Sequence, residues 1–482
     1  MKNLSARLSA PPVAKIDESA APKSASNHRG IFILLSAALA VRLVMFAAAI
    51  DKGLYFPDES EYLELAKNLY NGEGFSYKGE PTSFRPPGFP FLIAVAFKLF
   101  DTTSPIVVRG LQMLLSLLTV GVIYLVGRDG WGERTGLVAA GIFAFYPTLI
   151  GFNNIVLTEP GFLLCVSLAC WAMVRHLNNP NTWQVGAAGV ALGLGALIRD
   201  TLFYSGPVTT LFLIGLAIRE RRFRWAHAAM FAGGFLLTIL PWCIRNSRLH
   251  GEMAMISTVG GITFYLCNNA EAPLIRTPPI FFEKPLHQTE GYYYESLMPE
   301  LNGLSEPAKQ SIVVRKGLEY MLANPGATFL RMLGRLVDFW GQERLVINQI
   351  LSKYYGDLPM IAMLILMAAI VGVYSMTIIG AVFGYFCARL RPFEVFSLLF
   401  IGYYLMMHLM VFAHPRYHIH LLPLLLIPAA RAFVARSEIW ANRRHWRFAA
   451  ALSVCGVFVV MWIVGLFIFD ADKIALAKNL FN

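Results

Sequence analysis

Apolar and polar residues are sorted along this chain in long blocks. Apolar runs recur near 31–50, 106–127, 135–152, 160–177, 183–198, 202–218, 226–244, 358–387, 395–413, 417–434 and 448–469. At about 20 apolar residues per crossing, these predict an all-α polytopic membrane protein with roughly eleven transmembrane helices. Two long polar segments interrupt the series. In the first, Asp51 to about Pro105, the residues Tyr62, Leu65, Ala66 and Leu69 recur at i, i+3, i+4 and i+7 after Pro57, and Asn71-Gly72 ends the pattern. That predicts a short amphipathic helix lying on the membrane surface, with Asp58, Glu59 and Glu61 in its first turn. Phe89–Phe100 is apolar but too short to cross comfortably, and reads as interfacial or re-entrant. The second segment, Arg245 to about Tyr355, holds amphipathic stretches near Ile312–Leu322 and Thr328–Trp340, divided by the stop-and-turn signal Asn324-Pro325-Gly326. The expected organisation is a tail (1–30), an N-terminal membrane module (31–244) carrying a first outer loop (51–105), a large outer loop (245–356) and C-terminal membrane helices (357–482).

Composition agrees. Of 482 residues 56% are hydrophobic and 15% charged, where a soluble domain is about a quarter charged. The net charge of +11 is not a nucleic-acid footprint, because the basic residues sit in short connections. Arg128 and Arg134, Arg175, the group Arg219, Arg221, Arg222 and Arg224, then Arg389 and Arg391, and finally Arg436, Arg443, Arg444 and Arg447 all fall on one side with the basic N-terminal tail. By the positive-inside rule that side is the cytoplasm. Met1–Arg29, rich in Ser, Ala and Pro, reads as a disordered tail. Ala47-Ala48-Ala49 imitates a signal-peptidase site, but tail and apolar run are both long for a signal peptide, so the first helix is read as retained. Five of six cysteines lie in or beside apolar runs and Cys267 lies in the outer loop, with neither a disulfide framework nor metal spacing.

Sorting polar residues by side is more informative. Asp58, Glu59, Arg85, Glu159, Arg199, Asp200, Arg245, His414 and Arg416 all map to the outer ends of spans or to outer connections. Carboxylates serve as bases and guanidinium groups hold phosphate bidentately, so such a gathering suits chemistry at the membrane–water boundary. Each residue alone has a plainer reading. Acids at Asp58 and Glu159 also complement helix dipoles. Arg85, in the stiff turn Phe84-Arg85-Pro86-Pro87-Gly88-Phe89-Pro90, also suits a kink with a snorkelling arginine. Arg42 and Arg109, inside apolar runs, read as structural ion pairs or snorkelling side chains. His414 and His418 stand four apart, but Pro415 lies between them and no Cys or carboxylate is interleaved, so no metal site is assigned.

Taken in order, these pieces resemble bacterial polytopic glycosyltransferases of the GT-C superfamily, in the protein-mannosyltransferase and aminoarabinose-transferase-like group. Pro57-Asp58-Glu59 with Tyr62 resembles the first-loop acidic motif, continued by Gly72-Glu73-Gly74 and Arg85-Pro86-Pro87-Gly88-Phe89-Pro90. Leu157-Thr158-Glu159-Pro160 resembles the second acidic motif. Pro241-Trp242 and Ile244-Arg245-Asn246, then Ser257-Thr258 and Gly260-Gly261, resemble the entry to the large outer loop. Asn324-Pro325 with Phe339-Trp340, and Arg416-Tyr417 with Pro423, resemble the late elements. His414, His418 and His420 depart from the pattern.

The resemblance implies a polyprenyl-phosphate-linked sugar as donor, chemistry on the periplasmic face of a bacterial inner membrane, and a lipid, glycan or protein hydroxyl as acceptor. No cofactor is expected. On this reading Asp58 is the base of a single inverting displacement, with Glu59 and Glu159 positioning substrate or supporting the arginines. Arg85, Arg245 and Arg416 hold the donor phosphate, and Tyr62 and His414 lie beside it. The residues alone leave a covalent intermediate open. A transporter or flippase of a lipid-linked sugar is the rival class, and would favour ionisable residues near the midplane, broken spans and paired repeats.

Overall fold

The structure is a computed structural model that describes residues 29–275 and 298–469. The expected tail lies outside the described residues but for its last two positions, as does the middle of the large outer loop. Among the described residues nine helical stretches are long and apolar enough to cross a membrane. They include α1 (Arg29–Ala49), α4 (Pro105–Trp131), α7 (Glu159–Asn178) and α10 (Trp225–His250). A fifth runs from a short 3₁₀ turn at Asp200–Leu202 into α9 (Ser205–Arg219). The protein is thus a multi-pass, all-α membrane protein, as its blocks of apolarity predict.

Two expected spans take a different form. The run 183–198 is α8 (Thr182–Ile198), only 17 residues long. The run 135–152 is broken into α5 (Glu133–Ala144) and α6 (Pro147–Phe152), because Pro147 lacks an N–H and fits only a helix start. Both are nonetheless interior elements: α5 packs on α4, and α8 lies against α7 and α10. Glycines permit these contacts. A Cβ at Gly127 of α4 would sit 2.6 Å from the Cα of Gly136 in α5, and one at Gly189 of α8 would sit 2.2 Å from the carbonyl oxygen of Phe231 in α10.

The first outer segment forms two helices, α2 (Asp58–Asn71) and α3 (Gly88–Phe100), packed on each other. Gly72 ends α2 at φ +84°, a left-handed cap that glycine adopts without steric cost. The large loop contributes α11 (Val259–Leu266), α12 (Glu306–Ala323), α13 (Pro325–Phe339) and α14 (Leu345–Leu351). The predicted break at Asn324-Pro325 falls between α12 and α13. The C-terminal spans are α15 (Met360–Cys387), α16 (Pro392–Met410) and, after a 3₁₀ segment at Pro415–Leu421, α17 (Leu422–Val434). The short α18 (Arg436–Ala441) precedes α19 (Trp446–Phe469). Pro428 inside α17 leaves the carbonyl of Leu424 without its helical partner, and the Tyr385 hydroxyl donates to that oxygen at 3.1 Å.

The intramembrane arginines do not form the ion pairs considered above. Arg42 is buried and donates to Ser116 Oγ at 3.1 Å and to the carbonyl oxygen of Ala144 at 2.8 Å. Arg109 closes the end of α1, donating to the carbonyl oxygens of Ala49 (2.5 Å), Lys52 (2.8 Å) and Gly53 (3.1 Å). A cation at a helix C-terminus satisfies carbonyls that have no intrahelical donor.

Arginines also fix the outer loop. Arg335 of α13 donates to the carbonyl oxygens of Leu409 (2.9 Å) and Met410 (2.8 Å) at the end of α16, and to that of Cys267 (2.5 Å) just after α11. Cys267 itself is buried, so it is not the accessible thiol that its place in a polar loop suggests. At the start of α12 the Glu306 carboxylate gathers Thr82 Oγ1 (2.7 Å), the Ser83 N–H (3.0 Å), Ser83 Oγ (2.6 Å) and Thr258 Oγ1 (2.9 Å). The turn preceding Arg85 is thereby tied to the starts of α11 and α12.

Candidate functional site

Asp58, Glu61 and Tyr62 lie at i, i+3 and i+4 of α2 and so share one face. That face meets Arg85, which the proline-rich turn carries over it. Arg85 donates from Nε to Glu61 Oε2 at 2.7 Å and from Nη2 to Asp58 Oδ1 at 2.9 Å. Its guanidinium lies 5.3 Å from the centre of the Tyr62 ring. Burial alone would lower the guanidinium pKa, but the Glu61 and Asp58 charges beside it outweigh that and raise it well above its usual range. Burial also pushes the Tyr62 phenol up, to about 12.

Glu59, one position on, points elsewhere. A residue adjacent on a helix is turned by about 100°, and here that turn buries the carboxylate completely. It accepts backbone N–H bonds from Tyr55 (2.6 Å), Phe56 (2.6 Å) and Val156 (2.8 Å). Burial raises its pKa while those three bonds pull the other way. Glu59 is therefore a strut that joins the start of α2 to the segment leading into Glu159.

Glu159, at the first turn of α7, is fully buried and receives Arg416 in a fork: Arg416 Nη2 donates to Oε2 at 3.1 Å, and Nε binds Oε1. Arg199 stands 3.7 Å from the same carboxylate, donates to Thr158 Oγ1 at 3.1 Å, and lies 4.8 Å from the Tyr417 ring centre. His414 begins the 3₁₀ segment, its Nδ1 accepting the Arg416 N–H at 3.1 Å. The next two histidines anchor that segment. His418 sits 3.1 Å from the buried Glu343 carboxylate, and His420 Nδ1 is 2.7 Å from the Tyr404 hydroxyl. Among the described residues no group of three His, Cys, Asp or Glu is arranged to hold a metal ion.

Asp58, Tyr62, Arg85, Arg199, His414 and Arg416 line a single cavity of about 710 Å³, together with Asp200 and Tyr417. Its lining also includes many apolar side chains, among them Met255, Val259 and Phe264 on the outer-loop side and Met406, Met410 and Phe412 at the end of α16. One cavity thus brings three guanidinium groups together with extensive apolar surface. Such a chamber accommodates an amphiphile with an anionic head.

Two sequence expectations change. Glu59 does not line this cavity, because its carboxylate is taken up by backbone donors. Glu159 is likewise absent from its lining, but it holds Arg416, the supporting role considered for it above. Arg245 does not line it either: it donates to the carbonyl oxygens of Thr82 (2.6 Å) and Phe75 (3.2 Å) and lies 4.8 Å from the Trp242 ring centre. Arg199 takes its place in the cavity wall. Its signal in sequence is a consecutive Arg-Asp pair closing an unusually short apolar run. Arg245→Ala is accordingly expected to leave undecaprenyl phosphate binding within about threefold of wild type, while lowering thermal stability by about 1–3 kcal/mol through the Thr82 carbonyl left without its donor, since that of Phe75 keeps the Thr82 N–H. Lipid binding and thermal unfolding of the purified variant check this.

Residues 84–244 match the family model described as dolichyl-phosphate-mannose-protein mannosyltransferase. A curated protein of Sodalis glossinidius, described as undecaprenyl phosphate-alpha-4-amino-4-deoxy-L-arabinose arabinosyl transferase 1, is 26% identical over 215 residues, which are 41% of this chain and 37% of that protein. The chain thus aligns with well under half of that relative. Among solved structures, the oligosaccharyltransferase of Archaeoglobus fulgidus is similar with a TM-score of 0.51 at 14% identity, over 90% of this chain and 52% of its own. ArnT from Cupriavidus metallidurans bound to undecaprenyl phosphate gives a TM-score of 0.41 at 16% identity, covering 85% of this chain and 79% of that one. The oligosaccharyltransferase likeness is one of fold.

Proposed function

We propose that this chain is a glycosyltransferase of the GT-C superfamily, and that it moves a sugar from a polyprenyl-phosphate donor to a hydroxyl of an envelope acceptor at the periplasmic face of a bacterial inner membrane. The observation that carries this reading is the make-up of the cavity: Asp58, Arg85, Arg199 and Arg416 line it together with Met255, Met406, Met407 and Met410. The apolar lining takes the polyprenyl chain. The guanidinium groups take the phosphate and stabilise the negative charge that grows on it as the glycosidic bond breaks. The acceptor oxygen attacks the anomeric carbon, its proton passes to Asp58, and polyprenyl phosphate departs with the bonding electrons. Arg85 orients Asp58 for this task, and Glu159 holds Arg416 and Arg199 in the wall. The acceptor enters beneath α11 and α12, whose residues line the same space.

The test is transfer of radiolabelled sugar from a short-chain polyprenyl-phosphate donor to an envelope lipid and glycan extract by the purified protein. Transfer supports the reading. Movement of intact donor across a proteoliposome membrane without transfer would replace it with the transporter class.

Sidedness has its own test. Glu319 of α12 is well exposed, with 69% of its side-chain surface accessible, and is a better reporter than the buried Cys267. With the native cysteines replaced, Glu319→Cys is expected to react with a membrane-impermeant maleimide in intact spheroplasts. Labelling only after permeabilisation would reverse the orientation.

A further inference from the structure

We propose that Asp200 reads the transferred sugar, accepting a hydrogen bond from a hydroxyl or amine on its ring. This rests on the glycosyl-transfer reading above. Asp200 begins the 3₁₀ turn between α8 and α9, directly after Arg199, and both side chains line the cavity. Its carboxylate is positioned from one side only: Ser257 Oγ, itself buried, donates to Oδ2 at 2.5 Å. The other oxygen has no protein donor among the described residues, and no arginine, lysine or histidine among them pairs with the group. That sets Asp200 apart from the other carboxylates in and around the cavity. Asp58 and Glu61 are held by Arg85, and Glu159 by Arg416.

The contrast has a physical meaning. A carboxylate facing a partly apolar chamber needs donors for its lone pairs. Ser257 fixes the rotamer and supplies one. A ligand that fills the chamber and excludes water must supply the rest, or the site loses a charge-assisted bond. The donor phosphate cannot do so, since it carries acceptors alone at the pH of the periplasm. The acceptor's attacking hydroxyl gives its proton to Asp58. Asp200 directly follows Arg199, and the sugar is the group bonded to the phosphate that Arg199 meets, so the ring's donors come nearest to it, which makes Asp200 a specificity residue, distinct from the groups that hold phosphate.

The experiment uses the full-length enzyme in nanodiscs, undecaprenyl phosphate as a sugar-free ligand, and short-chain polyprenyl-phosphate donors bearing arabinose, 4-amino-4-deoxyarabinose, mannose or their monodeoxy analogues. Asp200→Asn is expected to raise KM for the best natural-type donor about 10- to 100-fold, the range for loss of a hydrogen bond to a charged group. Binding of undecaprenyl phosphate is expected to change less than threefold. One monodeoxy analogue is expected to be insensitive to the substitution, and its position identifies the group read. Comparison of the arabinose and amino-arabinose donors then separates hydroxyl from amine. Ser257→Ala is expected to give a smaller KM effect of the same pattern. An equal loss for the sugar-free lipid, an equal loss for every analogue, or no loss at all would overturn the assignment and leave the Asp200–Ser257 bond as a tether between the α8–α9 turn and the outer loop. Failure of wild type to transfer any of these sugars would instead count against the glycosyltransferase reading itself.

Discussion

Asp58→Asn is expected to lower turnover by about 10²- to 10⁴-fold, the usual cost of removing a general base, while donor affinity stays within a few-fold of wild type. The substitution keeps the shape of the side chain and one carbonyl oxygen to accept from Arg85, so the face of α2 is preserved. Glu61, buried and bonded to the same guanidinium at 2.7 Å, keeps Arg85 in place without the Asp58 charge. On the function proposed above the two acids divide their work: Glu61 anchors the arginine, and Asp58, which lines the cavity, is the one placed to reach a substrate. Glu59→Gln tests the opposite case. Its carboxylate accepts three backbone N–H bonds and does not line the cavity that Asp58 lines, so the expected loss lies in folding and not in the chemical step. Turnover and undecaprenyl phosphate binding, measured for both variants in one preparation, decide the matter. Near-normal turnover by Asp58→Asn would remove Asp58 from the mechanism and return it to the plainer role of neutralising Arg85 at a helix start.

The membrane architecture was legible because a crossing demands about 20 consecutive apolar residues and little else. Where local chemistry competes with that length, the reading shifted: Pro147 broke one expected run. The face shared by Asp58, Glu61 and Tyr62 was legible too, since it follows from 3.6 residues per turn. What that face meets was not. Arg416 and Glu159 are 257 positions apart, and only the packing of the 3₁₀ segment on α7 joins them. Arg245 shows the converse. It has the right charge at the right end of a span, but its direction is set by the Phe75 and Thr82 carbonyls that it binds. The end of a span that a residue occupies can be counted from sequence, whereas the direction of a side chain is a tertiary property. The histidines show the same limit, because the partners of His418 and His420 come from the outer loop and from α16.

Glu159→Gln is expected to destabilise the protein and yet bind undecaprenyl phosphate more tightly. Glu159 is fully buried and is the only carboxylate among the described residues within 4 Å of either Arg416 or Arg199. Removing one partner of a buried pair typically costs about 3–5 kcal/mol, because the remaining charge stays desolvated. Here two guanidinium groups lose their counter-ion at once. The amide oxygen of the substituted side chain would still accept one hydrogen bond from Arg416, which places the expected loss toward the lower end of that range. The same change leaves the cavity wall with an uncompensated positive charge, and an entering phosphate answers it. Stability and lipid affinity therefore move in opposite directions, and added undecaprenyl phosphate restores much of the lost thermal stability, since a ligand that binds only the folded state stabilises it by mass action. Glu159→Asp keeps the charge but shortens the reach, so it is expected to fall between wild type and the Glu159→Gln variant in both measurements. Thermal unfolding in detergent, with and without the lipid, reads both effects in one experiment. Unchanged unfolding together with unchanged lipid affinity would show that Arg416 and Arg199 draw their compensation from elsewhere, and would remove Glu159 from the phosphate site.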